Sequence, residues 1–309
     1  MPDNPIPYPL DPVVVGGTLI TLDQYVNAPT VITRRVAEIA AQRFFASKVF
    51  SPGPAITGGA LLFERPNPLL TDLYAARRTQ EMAPGTQAPV LTFVRGIPMV
   101  ARPRKIGGKW SLTKEERQRN NPRLAERAMV QMANTITRDL EIMALSELNA
   151  VVASEGRTIA AGSTWAAAAA TTFGTRTAAN QPASDIANVV SAVDVEERGH
   201  VLNSAIFNPL DWANLKKIYA SLNAGNGDAS ARAVLTDNGI TTIDTTPRQP
   251  QGRVKLYEAG MVGTWSNEFP LTETTWFDEE TDMTWWYQST VSPAFAVDDQ
   301  FAMLELVGV

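Results

Sequence analysis

The chain has 309 residues, of which 44% are apolar and 19% charged, with a net charge of −5; that composition supports a packed core in one large domain or two modest ones. The absence of cysteine excludes disulfides, thiol catalysis and cysteine metal sites, and fits a reducing compartment. The single histidine, His200, leaves any acid–base chemistry to carboxylates, lysine, serine or tyrosine, which weighs against an enzyme.

The opening stretch MPDNPIPYPL has no basic n-region and no apolar h-region, so no secretory signal is expected. No apolar run approaches the ~20 residues of a membrane helix. Residues 1–29 hold six prolines, ending with Pro29, and read as an extended arm that needs a partner to hold it, a neighbouring subunit being the simplest. Thr30 to Val49 reads as a helix with Val31, Val36, Ile39, Ala40 and Phe44 on one face, ended by SPGPAITGG. From Leu73 to Trp110 the pattern is strand-like: APVLTFV is rich in β-formers, and Pro84-Gly85 and Arg95-Gly96 punctuate it. A long antiparallel hairpin is expected here, and a lone hairpin must rest on another surface to be stable.

Thr113 and Glu116 have capping-box spacing, and Asn121-Pro122 supplies an N-cap followed by proline at the first helical position. From there Leu124, Ala128, Met132, Ile136, Leu140, Ala144 and Leu148 recur every four residues. One long amphipathic helix to about Val152 is expected, with Met129, Met132 and Met143 filling core gaps. Thr158–Ala183 reads as a loop with a short helix around Trp165. Ser184 is the expected cap of a second helix with Ile186, Val189, Val190 and Val193 on one face, stopped by Gly199. HVLNSAIFNP reads as a buried strand entering a turn, and Asn208-Pro209 opens a helix to about Tyr219. Everything after NAGNGDASA reads as β-rich, including TTIDTT, RVKLYEAG, MTWWYQSTV and FAMLELVGV. Helices and strands in mixed order predict an α+β fold.

The charge is polarised. Residues 77–127 carry +8, whereas residues 1–76, 128–199 and 200–309 carry −1, −4 and −8. Arg77, Arg78, Arg95, Arg102, Arg104, Lys105 and Lys109 dominate the basic stretch. Three readings stand together: phosphate binding, head-to-tail self-association on an acidic surface of the next copy, and a solvated face. No dinucleotide, P-loop, zinc-protease or hydrolase motif is present. Asp278, Glu279, Glu280 and Asp282 lie too close along the chain to converge on one ion and read as a solvated turn. Trp265, Trp276, Trp285, Trp286 and Tyr287 could stack sugars or bases, but sheet and interface packing is the expected role. His200 reads as structural or solvated. Catalytic, cofactor and metal sites are therefore expected to be absent.

The order of these elements resembles the major capsid proteins of tailed bacteriophages, the Hong Kong 97-type fold. EMAPGTQAPVLTFVRGIPMVARPRKIGGKWSLTKEE is similar to that family's E-loop and its return. Asn121–Val152 resembles the spine helix, and SDIANVVSAVDVEERGHVLNSAIFNPLDWANL resembles the A-domain helix, strand and turn. DEETDMTWWYQSTVSPAFAVDDQFAMLELVGV resembles the final return strands. The order of elements, with the NPLDW and AVDD contexts, carries the likeness over nearly the whole chain.

The resemblance implies an N-terminal arm and first helix over 1–58, a lead into the P-domain over 59–72 and an E-loop over 73–110. It further implies a P-domain with the spine helix over 111–183, an A-domain over 184–282 and return strands of the P-domain over 283–309. It implies a non-enzymatic shell protein that forms hexamers and pentamers of an icosahedral head around double-stranded DNA. Scaffolding, portal and decoration proteins are further partners; no membrane and no cofactor is implied. The implied location is the virion, with assembly in the host cytoplasm. An encapsulin-type compartment is the alternative within the fold; a carboxylate-dependent hydrolase and a nucleic-acid-binding module are alternatives outside it. In the family the E-loop lies over a neighbouring subunit, which makes the seven basic residues inter-subunit contact candidates. Some members join an E-loop lysine to a neighbour's asparagine. Here no lysine occurs between Lys48 and Lys105, and Arg95 stands near the corresponding place, so a non-covalent shell is expected. No long scaffold segment precedes the arm, so scaffolding is expected to be a separate protein or unnecessary.

Overall fold

A computed structural model describes residues 13–15, 18–20, 45–67, 74–75, 79–91, 95–118, 122–171, 177, 180–220, 226–279 and 284–309. Its central element is helix α3, Pro122–Glu155, preceded by the short helices α1 (Ala46–Val49) and α2 (Lys114–Gln118). The capping box is formed at α2: Thr113 N donates to Glu116 Oε2 at 3.0 Å, and Glu116 N donates to Thr113 Oγ1 at 3.3 Å. The expected cap Asn121 lies outside the described residues. With 34 residues, α3 is about 50 Å long.

Its buried stripe differs from the expected one at the N-terminal end. Ala125, Met129 and Ala133 are buried there, followed by Ile136, Ala144, Leu145, Leu148, Val151 and Val152. Strict recurrence every four residues advances about 40° per step on a helix of 3.6 residues per turn, so Ala128 and Met132 rotate to the flank.

Helix α3 serves two sheets. Strands β1 (Val13–Val15) and β2 (Thr18–Ile20) form a separate pair. The first of the two larger sheets has the order β3 (Phe50–Pro52), β11 (Gly263–Asp278), β12 (Thr284–Ala296), β6 (Ile106–Thr113). Leu112 and Tyr287 of this sheet pack on Ala125, Met129 and Ala133 of α3. Of the two glycines of KIGGKW, Gly107 is required by the close approach of β12, and Gly108 lies against the flexible end of Met132 on α3. A Cβ on Gly107 would lie 2.4 Å from the Ser289 carbonyl oxygen, and one on Gly108 would lie 3.0 Å from Met132 Cε.

The second sheet has the order β7 (Thr158–Ala160), β13 (Met303–Val307), β10 (Arg253–Tyr257), β8 (Ser204–Phe207), β9 (Thr242–Thr245). Helices α4 (Trp165–Ala170), α5 (Pro182–Val195), α6 (Pro209–Ala220) and α7 (Gly227–Asp237) supply most of the apolar faces covering it. The C-terminal half of α3 lies where the two sheets meet, against Phe50, Ile206, Tyr257, Phe295 and Met303.

Several expectations are corrected. Within the helix expected over Thr30–Val49, the described part is α1 alone; residues 30–44 lie outside the description. SPG does not simply end it: Phe50–Pro52 is strand β3, parallel to β11. Helix α5 begins at Pro182 rather than at Ser184. Proline fits the first helical position because its missing N–H has no intrahelical partner there. Helix α7 interrupts the stretch expected to be β-rich; Asn226 caps it by accepting from Ala229 N at 3.4 Å. The Asn208 cap is formed as expected, accepting from Leu210 N at 2.9 Å.

Candidate self-assembly surface

The expected hairpin over Leu73–Trp110 is built differently. Its return strand β5 (Ile97–Ala101) pairs with β4 (Leu61–Arg65), upstream of the expected range, whereas β6 leaves the ribbon and joins β12. The β-forming stretch APVLTFV finds no strand partner in its described part, residues 88–91. Propensity sets a preference, but a strand exists only where a second one lies alongside.

The β4–β5 ribbon has two unlike faces. Phe63, Arg65, Met99 and Ala101 line a cavity of about 300 Å³ shared with Met143 and Val151 of α3 and Phe295 of β12. Arg65 anchors the ribbon there, donating from Nε to the Val297 carbonyl at 3.3 Å and lying 3.9 Å from Glu155. On the opposite face the cross-strand pair Leu62 and Val100 is 77% and 55% exposed. Burying such a pair stabilises by roughly 25 cal/mol per Å², which the isolated subunit forgoes.

Arg95, Arg102, Arg104, Lys105 and Lys109 are all exposed. Arg95 stands just before β5, the RPRK turn joins β5 to β6, and Lys109 lies on β6. Arg104, largely solvated, lies 3.5 Å from the partly buried Glu147, and Lys109 Nζ sits 4.5 Å over the Trp286 ring. Arg77 and Arg78 lie outside the described residues. The structure thus groups Arg102, Arg104 and Lys105 at one corner, with Arg95 at the far end of β5.

The aromatic set divides between the two faces of the four-stranded sheet. Tyr287 is fully buried and stacks on Trp110 with centroids 4.2 Å apart. Trp285 meets Phe277 on the same side at 4.9 Å. Trp276 and Trp286 form a cross-strand pair, 6.4 Å apart and on the other face, with Trp276 still 39% exposed. Of the acidic cluster, Asp278 ends β11 and Glu279 is exposed beyond it; Glu280 and Asp282 lie outside the described residues. Among the described residues no group of three or more histidines and carboxylates is placed to hold a metal ion. No described helix is long and apolar enough to cross a membrane.

His200 has partners that the sequence does not reveal. Its Nδ1 lies 3.0 Å from Glu258 Oε2 and its Nε2 3.1 Å from Asp299 Oδ2. Both ring nitrogens face carboxylate oxygens, so both donate only in the imidazolium form. The hydrogen bond to Asp299 raises the His200 pKa above its usual value, burial opposes this, and Glu258 adds to the rise. The interaction therefore stabilises fully below about pH 6.5 and is lost as pH rises through the elevated folded-state value. His200→Gln should lose about 1.5–3 kcal/mol at pH 6. Urea titrations should show the gap closing toward pH 9; a gap independent of pH would contradict the imidazolium assignment.

An α+β subunit with a long helix between two sheets and a two-stranded ribbon flanked by cations is the Hong Kong 97-type capsid fold, and solved structures agree. The chain aligns with the virus-like particle from Pyrococcus furiosus at a TM-score of 0.57 and 14% identity, over 89% of this chain and 98% of that one. The capsid of cyanophage P-SCSP1u matches at 0.58 and 12%, over 84% and 86%. A phage-related protein from Bordetella bronchiseptica RB50 matches at 0.56 and 13%, over 89% and 96%. No curated protein matches the chain in sequence. Residues 96–304 match a family model described as "Phage capsid protein", and the chain belongs to that family.

Proposed function

We propose that this chain is the major shell subunit of a tailed-phage head. It assembles with copies of itself into hexamers and pentamers of an icosahedral shell around double-stranded DNA. The observation that carries the reading is the β4–β5 ribbon: it exposes apolar residues on one face and is flanked by a cluster of cations on a subunit that is otherwise acidic. A heterologous contact of this kind closes into rings. Arg77, Arg78, Arg95, Arg102, Arg104, Lys105 and Lys109 set the register of that contact, and buried apolar area gives it strength. The ribbon and its loop act as the E-loop, α3 as the spine helix, the four-stranded sheet as part of the P-domain and the five-stranded sheet as part of the A-domain; this division takes β11 out of the A-domain bounds 184–282 and brings β7 and β13 in from the P-domain bounds. The acidic remainder limits adhesion of the wall to packaged phosphates, so contact with DNA is non-specific. Scaffolding, portal and decoration proteins complete the particle, which forms in the host cytoplasm and persists as the virion. The role is structural rather than enzymatic.

The shell is held without covalent links, because the ribbon and its loop offer arginine but no lysine before Lys105. Denaturing gels of particles should show only the single-chain band; a ladder of multimers would overturn this. Nuclease-protected double-stranded DNA inside particles from infected cells is the expected content. Particles filled with a protein cargo would instead establish the compartment alternative.

A further inference from the structure

Among the described residues, the four-stranded sheet has an open edge. Strand β3 covers β11 only at Gly263, Thr264 and Trp265, and the following segment ends its pairing where Ile56 N donates to the Asn267 carbonyl. Beyond that point, among the described residues, no strand pairs with the outer edge of β11 as far as Asp278. Its residues there, LTETTWF, favour strands, and Thr272, Thr274, Thr275 and Trp276 are exposed. A long, open, β-prone edge is a template for another chain. A matching orphan exists in the same molecule. The loop between β4 and β5 contains a β-forming stretch whose described part has no strand partner and leaves Val90 75% exposed.

We infer that the β4–β5 loop of a second copy lies along the free edge of β11 as an added strand, through Ala88–Leu91. This rests on the shell reading above and names the surface it uses. Charge supports this occupant. After Lys255 the chain has no basic residue and ten acidic ones; Glu279 is exposed at the end of this edge, whereas Glu268 and Glu273 reach back to Ser292 and Ser289 of β12. The incoming loop belongs to the +8 stretch, with Arg95 just beyond the pairing residues. Pro89 fixes the orientation. Lacking an N–H, it fits only with its nitrogen turned away from β11, as on any edge strand. Strand alternation then turns the N–H groups of Ala88 and Val90 toward β11, and that of Leu91 away.

The absence of native cysteine makes the test clean. Val90→Cys chains are mixed in turn with Thr272→Cys, Thr274→Cys or Thr275→Cys chains, assembled, confirmed as particles by electron microscopy and oxidised. A disulfide between the two kinds of chain is expected in the mixture whose cysteines stand opposite each other. Deuterium exchange at residues 271–277 should slow by about two orders of magnitude in particles relative to subunits held below the assembly concentration. Val90→Pro should abolish that protection, whereas Leu91→Pro should keep it, because only the first removes an inward N–H. Intact particles whose 271–277 amides exchange as in free subunits, with no inter-chain disulfide, would overturn the edge contact while leaving the shell reading in place. Failure of the unmodified chain to form any particle would remove both.

Discussion

Glu305→Ala should destabilise the folded subunit by about 3–5 kcal/mol, the cost of leaving one member of a buried ion pair uncompensated. Lys255 and Glu305 are cross-strand neighbours on β10 and β13, near the middle of the five-stranded sheet. Both side chains are excluded from solvent, with 0% and 1% exposure, and their charged groups are in direct contact. Arg253 Nη1 adds a second bond to Glu305 at 3.2 Å. Burial lowers the Lys255 pKa, and Glu305 opposes that shift. In the alanine variant the opposition is gone, and the ammonium is further disfavoured. The unfolded chain then binds more protons than the folded one over the interval between the two lysine values, so stability recovers as pH rises through it. The double variant Lys255→Met/Glu305→Leu removes both charges and should fall near the wild type, or exceed it by about 1–4 kcal/mol. Urea unfolding of the three proteins decides the matter. A loss below about 1 kcal/mol for Glu305→Ala would show that the pair is solvated or unformed.

Reversing Arg95, Arg102, Arg104, Lys105 and Lys109 to glutamate should abolish particle formation while leaving the subunit folded. All five side chains are exposed. The Arg104–Glu147 pair and the Lys109–Trp286 contact are solvated, and each contributes roughly 0–1 kcal/mol. The unfolding free energy should therefore change by no more than about 1–2 kcal/mol. Between subunits the consequence is far larger. Juxtaposed like charges cost several kcal/mol per contact, and every subunit repeats the contact, so weakening compounds across the lattice. Size exclusion should give capsomer-sized or smaller species in place of particles. Neutral glutamine replacements should give an intermediate result, with assembly more sensitive to salt than in the wild type. Particles formed normally by the five-fold glutamate variant would remove these residues from the contact.

The parts of the fold legible in the sequence are those specified by neighbours along the chain. The Thr113–Glu116 box, the Asn208 cap and the long helix follow from spacing alone, because their partners lie within one or two turns. The buried strand SAIF is legible because all four residues are buried on both faces and read as a continuous apolar run. Helix α7 was hidden by GDAS, whose glycine, aspartate and serine have weak helix propensity. Its signals were nevertheless present: the Asn226 cap, an Asp228–Arg232 pair at four-residue spacing, and Gly239 with φ of 85° just past its end.

What no local pattern carries is pairing across distance. Leu61–Arg65 meets Ile97–Ala101 only because the whole fold brings them together. The Glu258 partner of His200 likewise lies 58 residues further along the chain. The seven basic residues are legible as a charged stretch, but the grouping of Arg102, Arg104 and Lys105 at the β5–β6 corner depends on a turn position that composition does not give.

Negative-stain electron microscopy of the purified chain, with size exclusion of the same sample, tests self-assembly most directly. Closed shells, tubes or rings of five and six subunits are the predicted result. A monodisperse monomer that persists at high concentration, and after addition of a candidate scaffold, would contradict the account.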